Sequence, residues 1–221
     1  MSEMVIESFS QLHEAVQAYD PNRDVFRGVL RFSYVLLPKL GRKEMQYIGS
    51  LPIVEREMLR LFNNYATPYL PTTHVSDWEL LAIAQHHGLP TRLLDWTRNP
   101  MLAAYFAVEQ ETDGEDSAVY VLKDQKFIDV ETISPFDLKD VSKFVPAHIT
   151  PRITAQSGLF TAHPSPETPF HCAFLDKLVI AQGFRRELKK ILYRYGIHRA
   201  ALLPGLDGIT IHIEWLKTHS H

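Results

Sequence analysis

Two periods of apolar and polar residues interleave along the 221-residue chain. Between Leu51 and Tyr65, apolar residues fall at Ile53, Met58, Leu61, Phe62 and Tyr65, the spacing of a helix that buries one face. Ser8 or Ser10 is placed to cap a short helix through Leu12, Val16 and Tyr19, and Asp20-Pro21-Asn22 then turns the chain. Ser76, with Glu79 three residues on, forms a capping box for a helix reaching His87, and Gly88 follows where a C-terminal cap glycine belongs. Asn99 and Pro100 open a strongly apolar helix over MLAAYFAVEQE, since proline is favoured at the first helical position. Phe184 to Tyr195 has the spacing of a basic amphipathic helix, and Pro204-Gly205 precedes a last helical segment from Leu206 to Leu216.

Shorter runs rich in β-branched and aromatic residues predict strands at Val25–Val29, Thr91–Thr97, Ser117–Leu122, Ile153–Phe160 and Asp176–Ala181. Residues 124–150 show neither period and predict an irregular excursion. Helices and strands alternate unevenly, which points to the α+β class: a single domain with a split central sheet, mixed or antiparallel, and flanking helices. Residues 1–22 are expected to form an N-terminal helix and turn, residues 23–217 the domain, and residues 218–221 a tail.

Composition narrows the chemistry. The single cysteine, Cys172, excludes an internal disulfide and a multi-cysteine zinc site, and its expected fate is a structural, buried thiol. No stretch approaches the ~20 apolar residues of a membrane span, and the first residues lack a basic, then apolar, leader pattern. A cytoplasmic location is the expectation. The net charge of −3 excludes a broad basic field for nucleic acid. His86 and His87, with His74, are the one histidine group near a ligand spacing. Neighbouring histidines diverge on a helix, so no metal is expected.

Two features stand out as candidate chemistry. Arg27 interrupts an apolar strand, where a charge must be paired or used. The segment from Gln85 to Thr97 (QHHGLPTRLLDWT) places two imidazoles, a guanidinium, a carboxylate, an indole and a hydroxyl within thirteen residues. Its plainest structural reading pairs Arg92 with Asp95, both at least partly buried, and sinks Trp96 into the core.

Phe26-Arg27-Gly28, this central segment with the following RNPMLAAYFA, Arg152-Ile-Thr-Ala-Gln156-Ser-Gly158-Leu-Phe160 and Leu203-Pro204-Gly205-Leu206-Asp207-Gly208 together resemble the FRG domain family over roughly Phe26 to Trp215. That family is bacterial and phage-associated, which implies a phage-defence or toxin-like effector. The order of elements is also similar to ADP-ribosyltransferases of the arginine–serine–glutamate type. Arg27-Gly28 looks like their first element, and Asp95-Trp96-Thr97 with Ala103 or Ala104 and Phe106 stands at the second. Gln156-Ser157-Gly158 stands at the third, with glycine where those enzymes carry a glutamate.

The resemblance implies an ADP-ribosyltransferase-like fold with NAD as substrate and no metal. Its reaction would be transfer of ADP-ribose to a macromolecular acceptor, or cleavage of NAD. In that reading Arg27, Gly28, Arg92 and Trp96 bind the nucleotide: Arg27 takes a phosphate or ribose, and Trp96 stacks on a ring or packs. Asp95, Thr97, Gln156 and His86 are the catalytic candidates. Arg27 and Thr97 are expected on neighbouring strands, facing one pocket. Two other classes stay open. One is a non-enzymatic module that binds a nucleotide or partner in the same cleft. The other is RNA binding or cleavage through Arg185, Arg186, Lys189, Lys190, Arg194 and Arg199, residues that otherwise read as a solvated helix face.

Overall fold

The computed structural model describes residues 2–44, 46–70, 75–112, 114–146 and 155–218. Strands β1 (Glu3–Ile6), β2 (Val25–Val29), β3 (Leu93–Thr97), β4 (Ser117–Leu122), β5 (Ser142–Phe144), β6 (Gly158–Ala162) and β7 (Leu175–Ile180) form one sheet in the order β1-β7-β4-β2-β3-β6-β5. All neighbours are antiparallel except β1, which lies parallel to β7. The helices are α1 (Phe9–Val16), α2 (Leu51–Ala66), α3 (Asp77–His86), α4 (Pro100–Val108), α5 (Arg185–Arg194), α6 (Arg199–Leu202) and α7 (Leu206–Thr218). The α+β class therefore stands, with a seven-stranded mixed sheet.

Local chemistry sets most of these boundaries. Ser76 accepts the Glu79 backbone N–H, and the Glu79 carboxylate accepts the Ser76 N–H, so the capping box is complete at α3. Gly88 follows with φ +90°, a left-handed conformation that a residue with a Cβ rarely adopts. Asn99 Oδ1 accepts the backbone N–H of Met101 and Leu102 at the start of α4, and Pro100 occupies the first turn.

Three differences from the sequence reading concern strands. Residues 3–6 form an edge strand of the sheet, so the N-terminal segment adds β1 to the expected helix and turn. The 124–150 excursion contains the three-residue β5. The strand expected from Ile153 begins at Gly158 and runs to Ala162, while Ile153 and Thr154 lie outside the described residues.

The sheet has two faces and three apolar clusters. On one face, Phe26, Val119, Val121, Leu178 and Ile180 pack under α1, α4 and α5. Leu93, Phe144, Phe160 and Ala162 of the same face pack under α2 and α3. The opposite face buries Val25, Val29, Leu94, Trp96, Leu122 and Leu159 with Leu36 and Phe170. The two helical lobes meet at a seam. β2 and β4 are paired over five residues, and so are β3 and β6, but β2 and β3 share only the pair Phe26–Thr97. The sheet is thus nearly divided between β2 and β3.

Candidate active site

A cleft of about 320 Å³ lies over this division, with α3 on one side and α4 on the other. Arg27, Gly28, His86, Asp95, Trp96, Thr97 and Gln156 all border it, so seven of the eight anticipated site residues meet at one place. Arg27 and Thr97 sit on neighbouring strands, but their side chains leave the sheet on opposite faces, which goes against the transferase-like arrangement in which both face one pocket. The pleat sets Arg27 on the face opposite Phe26 and Thr97. Its guanidinium reaches the cleft because β2 and β3 have parted beside it.

Arg27 Nη1 donates to the Asp95 carbonyl oxygen at 2.6 Å and lies 3.5 Å from the Asp95 carboxylate. The guanidinium thereby satisfies a carbonyl at the point where the two strands part. Its side chain keeps 18% of its surface exposed. Burial pulls its pKa down, against the opposing charge of Asp95, so the cation sits in a poorly solvated site. Among the described residues its hydrogen bonds leave from Nη1 alone.

Asp95 is more open than expected. It alternates outward between buried Leu94 and Trp96, and its side chain is 58% exposed. Gln85 Nε2 donates to its Oδ2 at 3.3 Å, while Gln85 Oε1 accepts the Thr91 hydroxyl at 2.7 Å. Gln85 is thus a holding residue for the carboxylate, which sequence reasoning missed. His86 is half-buried and borders the cleft from the end of α3, with the His87 ring edge-on at 5.0 Å.

Four anticipated roles change. Arg92 is not in the cleft: it is 3% exposed and its Nη2 pairs with Glu55 Oε2 at 2.6 Å, on α2. Glu55 also accepts the Arg92 backbone N–H at 2.8 Å and Nε at 2.7 Å; Pro135 O takes Nη1, and the Phe136 ring lies beneath. Arg92 therefore ties α2 and the 135–136 segment to β3 and does not partner Asp95. The Trp96 indole points into the core of the opposite face and donates from Nε1 to Thr161 Oγ1 at 2.9 Å, so it is not presented for stacking on a ligand.

The Thr97 hydroxyl donates to Gln156 O at 2.6 Å and accepts the Asn99 N–H at 3.0 Å. It closes the β3–α4 turn, and its proton is already engaged. Gly28 is where α4 crosses β2: a Cβ there would collide with the Ala103 carbonyl and the Ala107 amide. The signal for this contact is the small pair Ala103 and Ala107, one helical turn apart and facing the strand. Gln156 keeps a place at the cleft, where its Nε2 donates to Leu202 O at 2.9 Å.

Glu109, at the C-terminal end of α4, is a second carboxylate at the cleft that the sequence reading did not single out. It pairs with Arg199. The basic helix is largely committed too. Arg185 is buried and donates to Leu30 O and Gln110 O, Arg186 pairs with Glu111, and Lys189 donates to Glu109 O. These contacts fasten α5 to the segment after α4, while Arg186 and Arg194 stay exposed.

Elsewhere, Cys172 is half-buried and burial pushes its thiol pKa up, as suits an inert thiol. His74 lies outside the described residues. Among the described residues no group of three or more His, Cys, Asp or Glu is placed to hold a metal ion, and no helix is long and apolar enough to cross a membrane.

No curated protein and no solved structure matches this chain. The sequence model of the FRG domain matches residues 22–116, the stretch that supplies β2, α3, β3 and α4. Arg27, Gln85, His86, Asp95 and Glu109 all fall inside the match and Gln156 falls beyond it, so the chain carries an FRG domain whose elements build most of the cleft.

Proposed function

We propose that the cleft between β2 and β3 binds a phosphorylated nucleotide of the NAD and ADP-ribose class. The observation that supports this most is the placement of Arg27. A guanidinium held at one nitrogen, poorly solvated and still partly open suits a phosphate oxygen, which it meets by charge-assisted hydrogen bonds. The cleft volume lies within the range of small-molecule sites.

Asp95 and Glu109 give the same cleft two carboxylates, and His86 an imidazole. A carboxylate close to a ribose would accept hydrogen bonds from its hydroxyls and favour positive charge developing at the anomeric carbon. Asp95 suits that part better than Glu109: Gln85 holds it, and it stays open to the cleft, whereas Glu109 is tied to Arg199. NAD and ADP-ribose, which offer a phosphate to Arg27 and a ribose to Asp95, are the ligands to try first. Thr97 and Arg92 have no part in the proposal.

Titration with NAD and with ADP-ribose, read as a thermal shift, tests binding. At a hundredfold excess over Kd the expected stabilisation is about 2.7 kcal/mol, roughly 5–10 °C for a chain of this size. Arg27→Gln should abolish most of the shift. No shift with NAD, ADP-ribose or AMP would overturn the proposal. Incubation with labelled NAD and a cell lysate separates turnover from binding: free ADP-ribose or labelled macromolecule marks an enzyme, and a shift without product marks a binding module.

A further inference from the structure

A second cavity, of about 210 Å³, lies on the far side of Glu109 from the cleft, between α4, α5 and the α6–α7 segment. Its wall is unusual in being built from flat rings in register. The His198 and His212 rings are stacked at 4.2 Å with 12° between their planes, and Trp215 continues the set at 17° to His212. Tyr193 stands across these rings, 44° from His212 and 61° from Trp215, and forms the end wall. Burial pulls the pKa of both histidines down, which favours the neutral rings that stack without repulsion.

The polar groups of this wall are incompletely satisfied. Among the described residues, buried His198 Nδ1 and Arg199 Nε have no hydrogen-bond partner. Most buried polar atoms in folded proteins do have one, so a pair of orphans beside a cavity calls for an explanation. Both orphan atoms are themselves covered, and the polar side chains that face the cavity include Glu109, Gln110 and Lys189, so a flat ring with nitrogen on its edge would meet hydrogen-bonding partners there while extending the stack.

We propose that this cavity binds a nucleobase-type heteroaromatic ring, stacked beside His198 on the His212–Trp215 plane with its polar edge toward Glu109 and Gln110. The inference does not depend on the nucleotide reading of the cleft, because the recognised group is a ring without phosphate. Glu109 borders both cavities, so a ligand long enough to reach past it would occupy the two together.

Adenosine, which carries the ring and no phosphate, is the probe, and tryptophan fluorescence is the readout. Of the three tryptophans, Trp78 and Trp96 are sunk in separate cores, while Trp215 lines this cavity. Adenosine is expected to quench the fluorescence saturably in wild type, and equally in Arg27→Gln, which alters only the other cleft. Trp215→Phe should abolish the quench while leaving the circular dichroism spectrum unchanged. His212→Ala should weaken binding about 5- to 150-fold, the usual yield of one stacking contact. His212→Phe, which restores a flat ring, should return affinity to within about threefold of wild type. Absence of saturable quenching by adenosine would overturn the proposal, as would a quench that survives Trp215→Phe, or equal losses in folded His212→Ala and His212→Phe.

Discussion

Removing the Glu55 carboxylate tests whether Arg92 is structural. Glu55 is 1% exposed and Arg92 3%, and the carboxylate accepts three N–H groups of Arg92 between 2.6 and 2.8 Å. In Glu55→Ala the guanidinium keeps, among the described residues, the Pro135 carbonyl and the Phe136 ring face at 4.9 Å, in an interior that water does not reach. Breaking one side of a buried pair leaves the other charge uncompensated, at a cost of about 3–5 kcal/mol. For a chain of this size that lowers Tm by about 6–20 °C. Urea denaturation followed by circular dichroism should show a lower midpoint at an unchanged m-value.

A double variant separates the pair from the binding question. Glu55→Gln with Arg92→Met keeps an acceptor for the backbone N–H of residue 92 while removing both charges. It should recover at least half of the loss and bind ADP-ribose as wild type does. A Glu55→Ala protein within about 1 kcal/mol of wild type would refute the argument. So would a folded double variant that no longer binds, because Arg92 would then belong to the site.

Three further outcomes follow from the same geometry. Gly28→Ala should cost about 1–3 kcal/mol in a urea melt, because α4 must move off β2 to admit the methyl group. Thr97→Val should cost about 1–3 kcal/mol by leaving the Asn99 N–H and Gln156 carbonyl unpaired, and it should leave Kd for ADP-ribose unchanged within about threefold. His163 is buried beside Thr161, and burial, reinforced by the Arg27 charge, pushes its pKa from 6.5 down to about 3. The unfolded chain therefore binds a proton at His163 through a range where the folded chain does not. Its contribution is intact above pH 6.5 and falls away toward pH 3, by about 2 kcal/mol between pH 7 and pH 5. Urea midpoints across that range should fall less steeply in His163→Gln.

The parts of the fold that were legible in the sequence are those fixed by local chemistry. Ser76 with Glu79, Gly88, and Asn99 with Pro100 each mark a helix end by a bond or a dihedral within a few residues, and the structure keeps all three. Arg27 was legible as an interruption of an apolar strand, and Asp95 as the one carboxylate in its segment. What was not legible depends on long-range partners. Glu55 looks like a solvent residue of an amphipathic helix, and only the fold brings it to Arg92, 37 positions away. The strand β1 is four residues long and draws its stability from pairing with β7, more than 170 positions on, so no local period announces it. The Thr97 hydroxyl has the same composition whether it closes a turn or faces a ligand; the turn geometry decides, and that needs coordinates.

The most direct test of the central claim is a crystal structure of the protein soaked with ADP-ribose. The account predicts density between β2 and β3, with a phosphate oxygen within about 3.2 Å of the Arg27 guanidinium and a ribose hydroxyl beside Asp95, on the same side of the sheet as α3 and α4. Ordered ADP-ribose bound elsewhere, with Arg27 still turned only to the Asp95 carbonyl, would contradict it.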